Sequence, residues 1–462
     1  INKILSLNPM SVFIPKHYNG RGGSISEGID LVAAASYAAL PLGLIFGINW
    51  GLFLQPLIKY ADEEIKNEVL NGFLNDKKLG GLMITEPGHG SDALNMQSSY
   101  HIKDNAYHLK GTKHWGGLTG MADYWLLTAR KKTPEGSLQR DIDFFISDNH
   151  QKDQHVEVEE IFHNLGLYMI PYGRNNINAR IPLHQKLNPQ TTGISMMLDS
   201  LHRNRMLIPA IAMGFTHRIL DEAIEHCHER TVGNKQLINY DQVRNRLNKI
   251  QHAFTLTSAM CHFANKNAMP ENNLLSWGML CNSMKAISTD LMQESAQHLF
   301  QLNGAKAYRL NHFAGRAIVD SRPFQIFEGP NDILYIQTGE ALLKGMKTAK
   351  ETNLHQFLSH HPLTQQASSL LKRMTDFDLN RLMSQRKTAL LGKLMSKFLS
   401  MNMLLSLGEQ SFNPKLISNS IEQLLIDIRH ELQTISHRTE VQFVVDYQTN
   451  SYWQGSDSNM FS

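Results

Sequence analysis

The 462-residue chain holds only three cysteines, Cys227, Cys261 and Cys281, and their odd number and wide spacing argue against a disulfide framework or a cysteine zinc site. A reducing compartment, the cytoplasm, is the expected location. An excess of either charge is missing too: 45 Lys+Arg against 42 Asp+Glu leave a formal net charge of +3, and no global field points to nucleic acid. The 22 histidines are scattered. Pairs such as His226/His228 and His360/His361 lack the carboxylate or cysteine company of a metal site, so no metal is expected. The chain starts with Ile1 rather than Met, and no cleavable signal peptide can be read from it. Internal repeats and low-complexity segments are absent. Size, by contrast, is ample: 42% hydrophobic content over this length supplies several cores, more than a small binding module needs.

One charge-free stretch, Leu31 to Ile58, is long enough to cross a bilayer. Pro41, Gly43, Gly47, Asn49, Gly51 and Pro56 divide it, so two buried helices joined by a turn are expected instead. Residues 1–79 are helical in character, with an acidic helix around Asp62 to Leu74. From Gly80-Gly81 to about residue 190, short runs such as Tyr124-Trp125-Leu126-Leu127-Thr128 and Asp143-Phe144-Phe145-Ile146 alternate with Gly, Pro and Asn/Asp turns and predict a compact antiparallel β domain. Residues 191–345 return to long amphipathic helices: Ile208 to Arg230, Gln242 to Asn267, Leu274 to Asn303 and a segment leading to Asp320, four that make a bundle. The fold class is therefore α+β, mostly α.

An extension, 346–462, is helical, Met-rich and basic around Lys387, Lys393 and Lys397. A basic amphipathic helix suits an anionic membrane surface, which would make peripheral membrane contact its purpose. Met and Leu at helical spacing favour packing, here expected against a partner subunit.

Three short motifs carry the chemistry. Thr85-Glu86-Pro87-Gly88-His89-Gly90-Ser91-Asp92 predicts a turn with close backbone approach and N–H and O–H donors of the kind that meet a phosphate. Gly111-Thr112-Lys113-His114-Trp115 follows, and far downstream comes Gln325-Ile326-Phe327-Glu328-Gly329. The apolar run Pro323 to Phe327 can desolvate Glu328 and raise its proton affinity, and the next glycine lets the backbone approach a ligand. A carboxylate so placed suits removal of a weakly acidic proton. On the residues alone, Glu328 reads first as a helix-capping or turn residue.

In this order, the three motifs resemble those of flavin-dependent acyl-CoA dehydrogenases, over roughly Pro15 to Gly345. The resemblance implies an N-terminal helical domain, here without its first helices, a central antiparallel β-barrel domain and a C-terminal four-helix bundle, with FAD between the layers. It implies Glu328 as the base that takes the α-proton of an acyl-CoA on the way to the trans-2-enoyl product, and its N–H as a group that polarises the thioester carbonyl. Thr85 and Ser91 match hydroxyls that meet the flavin ring and the pyrophosphate, and Trp115 matches the aromatic along the isoalloxazine. Arg230, Gln301 and Gly304 resemble residues reaching the FAD of a neighbouring subunit, which implies a homodimer or homotetramer. Ser91, Arg205, Phe327 and Gly329 are the implied substrate contacts, with Arg205 positioning the acyl-CoA or the base loop, or forming a structural salt bridge. An electron-transfer flavoprotein is the implied acceptor.

Several positions depart from the family pattern. Gly117 stands where a Thr or Ser hydroxyl bonds flavin N5, leaving His114 or Thr119 as substitutes. Glu-Gly-Thr becomes Glu328-Gly329-Pro330, the paired glycines become Gly304-Ala305, and no phenylalanine follows Arg230 in Thr231-Val232-Gly233-Asn234. Where some relatives carry the base on a bundle helix, this chain has Asn204, which cannot act as one. An acyl group on a carrier protein, and a non-catalytic member serving as a binding or assembly subunit, are the alternatives.

Overall fold

The computed structural model describes residues 2–379, 383–436, 442–447, 449 and 451. A short α1 (Asn2–Leu5) precedes α2 (Ile25–Ala38), which starts at a reciprocal cap: the Glu27 N–H donates to Ser24 Oγ at 3.2 Å and the Ser24 N–H to Glu27 Oε2 at 2.9 Å. After a break at Ala39 the chain forms one rod from α3 (Leu40–Gly47), a wide π turn over Ile48–Leu54 and α4 (Gln55–Tyr60). Pro56 has no N–H to close an α-turn, which favours the looser spacing just before it. The rod is long and apolar enough to cross a membrane, yet 78% of its apolar window is buried within the protein. The two helices expected from the charge-free stretch are thus core helices, followed by α5 (Glu63–Asn75).

The β domain comprises β1 (Gly80–Met83), β2 (Ser99–Lys103), β3 (Ala106–His114), β4 (Tyr124–Lys131), β5 (Asp143–Asp148), β6 (Glu157–Ile161) and β7 (Gly173–Pro182). Their order is β1-β4-β2-β3-β7-β6, with β5 on β4. Four ladders are antiparallel as expected; β1–β4 and β2–β4 are parallel, because β4 enters the sheet between two strands that already run its way. Period-two alternation locates strands but carries no direction.

The bundle opens with α6 (Gly193–Glu229), fifteen positions before the expected start at Ile208. Thr192 Oγ1 accepts from the Ser195 N–H at 3.1 Å, and the Asp141 carboxylate accepts from Gly193 and Ile194 at 3.0 and 2.9 Å. Pro209, which reads as a first-turn residue, lies mid-helix and costs one backbone bond there. After a hairpin of β8 (Thr231–Val232) and β9 (Lys235–Gln236) come α7 (Asp241–Asn267), α8 (Gly278–Asn303), α9 (Phe313–Ser321) and α10 (Asn331–Thr348). The fourth long helix is α10; the segment leading to Asp320 is only the nine-residue α9.

The extension forms α11 (Leu354–His360), α12 (Gln365–Thr375), α13 (Gln385–Gly408) and α14 (Pro414–Ser436). It packs on the bundle of its own chain, α13 against α10, α7 and α8. Glycines allow this: a Cβ on Gly392 would fall 1.8 Å from the Tyr335 carbonyl oxygen, and one on Gly339 2.1 Å from that of Thr388. Two of the three lysines that made the extension read as basic turn inward, Lys397 to Glu431 at 3.1 Å and Lys393 over the Tyr335 ring at 5.3 Å.

Candidate active site

Glu328 lies in the turn between α9 and α10 with φ of 55°, a left-handed backbone that a non-glycine residue adopts only when held there. Arg205, a third of the way along α6, supplies the hold: its Nε and Nη2 donate to the Glu328 carbonyl at 3.0 and 2.7 Å, while Nη1 donates to Asn282 Oδ1 at 2.7 Å. Arg205 therefore clamps the Glu328 turn; among the described residues it is in no salt bridge, against one of its two expected readings. Gly329 (φ 95°) completes the turn under Arg205 Nη2, where a Cβ would come within 3.3 Å. From α8, Lys285 Nζ donates to the Gly329 carbonyl and to Asn331 Oδ1, both at 2.9 Å.

The Glu328 carboxyl is buried although the residue as a whole is half-buried. Asn204 Nδ2 donates to Oε1 at 2.5 Å; Oε2 is shut off from water and has no hydrogen-bond partner. Asn204 reaches this position because Gly51, in the π turn, has no side chain: a Cβ there would collide with Asn204 Oδ1 at 1.9 Å. Burial pushes the Glu328 carboxyl above the ordinary range, against the Asn204 bond and the charges of Arg205 and Lys285. Burial conversely brings Lys285 down to about 7, with Glu328 opposing the drop. Beside the carboxyl lies an apolar slot whose walls include Val32, Leu44, Ile48, Leu207, Ile211 and Phe327. The site is thus a dry carboxyl of raised proton affinity facing an apolar slot.

The edge of the β domain meets the slot wall at Ile48. Trp115 adopts φ of 58°, its N–H donates to the Gly173 carbonyl at 2.9 Å, and its indole is 56% exposed despite a ring contact with Phe162. Gly117 packs so that a Cβ would meet Ile48 Cδ1 at 3.0 Å and Tyr172 Cε1 at 3.5 Å, which ties this edge to the slot wall. Thr119 is already engaged, donating to the Gly116 carbonyl at 2.7 Å and accepting from Asn175 at 3.0 Å. His114 Nε2 is buried without a partner. The tyrosine at 172 went unnoticed in the sequence: burial and the Glu328 charge push its hydroxyl up, so it stays protonated.

Thr85 sits next to His114, whose N–H donates to the Thr85 carbonyl at 2.8 Å, and the loop runs on through exposed Ser91. Two charged residues inside the motifs, passed over in the sequence, anchor it. Lys113 Nζ, fully buried, meets Glu86 Oε1 at 2.8 Å and also donates to Thr128 Oγ1 at 3.0 Å. The Glu86 carboxylate accepts from the N–H groups of Gln97 and Ser98 at 2.5 and 3.0 Å. The first two motifs thus share one buried ion pair. Their spacing concealed it, but a lone Glu and a lone Lys at fixed places in Gly-rich segments are the signal.

Arg230, Gln301 and Gly304 gather elsewhere, at the far end of the bundle, where His226 Nε2 on α6 lies 3.1 Å from the Leu302 carbonyl on α8. All three are exposed. Along α6, Arg230 stands 25 residues beyond Arg205, about 38 Å at 1.5 Å per residue. Within one chain these residues do not join Glu328.

Three family models match: the N-terminal domain of acyl-CoA dehydrogenase over residues 1–77, the middle domain over 81–178 and the C-terminal domain over 191–343. An acyl-CoA dehydrogenase of Bacillus subtilis (strain 168) is 24% identical over 341 residues, 73% of this chain and 87% of the relative. An L-prolyl-(peptidyl-carrier protein) dehydrogenase of Pseudomonas fluorescens is 25% identical over 294 residues, 60% of this chain and 76% of its own. The crystal structure of an acyl-CoA dehydrogenase complexed with FAD from Bacillus anthracis shares the fold at a TM-score of 0.78 and 15% identity. That likeness covers 95% of this chain and 82% of the other, so the common fold extends beyond the three matched domains. By its three matched domains, the chain belongs to the acyl-CoA dehydrogenase family.

Proposed function

We propose that the protein dehydrogenates an acyl thioester to its trans-2-enoyl product, with Glu328 taking the α-proton. The observation that carries this reading is the Glu328 carboxyl itself: buried, raised in proton affinity, with one oxygen held by Asn204 and the other left without a partner. Asn204 orients the carboxylate and competes for no proton. Arg205 and Lys285 fix the turn from behind, so the carboxyl stays at the slot.

The β-domain edge fits FAD. An exposed indole at Trp115, the partnerless His114 Nε2 beside it, and a loop where Gly88 and Gly90 have no heavy atom within 4 Å of a would-be Cβ together leave room and donors for a flat ring and its phosphates. Thr85, Ser91, Trp115 and Gly117 would hold it, and when bound FAD would accept the β-hydride. Arg230, Gln301 and Gly304 would serve the cofactor of a second copy, since they cannot reach the site of their own chain. Electrons would then pass to an electron-transfer flavoprotein.

The test is anaerobic addition of acyl-CoAs of graded length to the flavin-loaded protein, with bleaching of the visible flavin band expected for at least one. The carrier-protein dehydrogenase among the relatives supports a parallel titration with acyl groups on a carrier protein. If neither series bleaches the flavin, the dehydrogenase reading falls.

The site also implies a pH profile. Glu328 works deprotonated, so kcat/KM should fall on the acid side with an apparent pKa above the ordinary carboxylate range. The Lys285 charge holds that pKa down, so Lys285→Met should move the acid limb to higher pH. An unmoved limb in a rate–pH titration would show that Lys285 only supports the turn.

A further inference from the structure

One residue, Trp50, lines both the slot beside Glu328 and a second cavity. As it stands the slot, about 10 Å³, is the smaller of the two. Trp50 forms part of its wall and also part of the wall of a cavity of about 260 Å³, bounded by residues 12–16 and 22–25, by α4 and by Met269 and Pro270. Two of the cations around that cavity, Lys59 and Arg203, are already paired with Asp199 at 2.9 and 3.1 Å, and most of the remaining lining is apolar.

Trp50 is held where it lines both. Its ring stacks on Phe13 at 4.9 Å and 13°, and Gly28 gives the ring edge its space: a Cβ there would lie 2.5 Å from Cη2. Trp50 is buried, with Phe13 on one face of its ring and Gly28 at the ring edge, so rotating it away would disturb two contacts at once.

We infer that Trp50 sets the acyl length: the protein takes short acyl thioesters, and longer chains are excluded because the indole closes the way to the second cavity. This rests on the slot being the acyl site. Discrimination by one methylene in an apolar pocket is about 10- to 200-fold, so a wall in the same slot as Glu328 can decide acyl length.

The experiment compares the flavin-loaded full chain with its Trp50→Ala and Trp50→Leu variants, titrating butyryl-, octanoyl- and dodecanoyl-CoA by calorimetry and, in parallel, by anaerobic flavin bleaching. The original chain should bind butyryl-CoA at least about tenfold more tightly than dodecanoyl-CoA, and either variant should raise the dodecanoyl-to-butyryl affinity ratio by about tenfold or more. If Trp50→Ala fails to fold, Trp50→Leu answers alone. Gly47→Ala tests the slot from another wall, since its added methyl meets Ile211 Cδ1 at 3.0 Å; it should weaken butyryl-CoA more than propionyl-CoA. An unchanged length ratio in the Trp50 variants, or an original chain that prefers dodecanoyl-CoA, overturns the inference. A shifted binding ratio without bleaching upholds Trp50 and removes the dehydrogenase reading; bleaching with an unshifted ratio does the reverse.

Discussion

Glu328→Gln should slow flavin reduction by an acyl-CoA about 10²- to 10⁴-fold, the range expected when a positioned base is lost. Glutamine keeps the length of the side chain and an oxygen for the Asn204 Nδ2 donor, and the Arg205 clamp on the backbone carbonyl does not depend on the carboxylate. The turn should therefore persist, and rapid-mixing absorbance under anaerobic conditions would isolate the proton-transfer defect. Glu328→Asp, which pulls the carboxylate back by one methylene, should fall between the two. A glutamine variant that reduces its flavin at the original rate would strip Glu328 of its role.

The largest stability effect is expected at Lys113. With Lys113 wholly buried and Glu86 3% exposed at the side chain, Lys113→Met leaves a carboxylate in the interior with no counter-charge, at a cost of about 3–5 kcal/mol. Burial already brings the Lys113 ammonium down to about 8, against the pull of Glu86, so the environment is a dry one. Glu86 stays below its ordinary range despite burial, because of the Lys113 charge and the donors from Ser98 and Gln97. Replacing both partners, Glu86→Gln with Lys113→Met, should recover much of the loss, since no uncompensated charge remains. Urea unfolding of the two single variants and the double variant measures this; equal losses for the single Lys113 and the double variant would mean the pair contributes nothing beyond packing.

The sequence revealed the layers better than their joints. Helical and alternating periodicities separated the helical layers from the β layer, and the charge-free stretch Leu31 to Ile58 read as buried helix, because burial dictates those patterns. The start of α6 was hidden: its first turn is capped by Asp141, 52 positions before Gly193, and Pro209 imitates a first-turn proline. Strand direction around β4 was likewise invisible, since alternation is the same either way. At the site, Glu328 stood out through the motif that carries the family resemblance. The atoms around it did not, because Asn204, Lys285 and Tyr172 come from three other segments and no local pattern links them. Glu86 and Lys113 lay in plain view inside the motifs but were passed over until the sheet showed them buried together.

The distance between the two ends of α6 bears on inheritance as well as architecture. If each site takes its base from one copy and its Arg230 from another, two chains broken at different ends are not equally useless together. A pair made of one copy lacking Glu328 and one lacking Arg230 would rebuild a single intact centre and spoil the other. Damage to this protein would then be counted per assembled pair, and some combinations of defective copies would rescue each other.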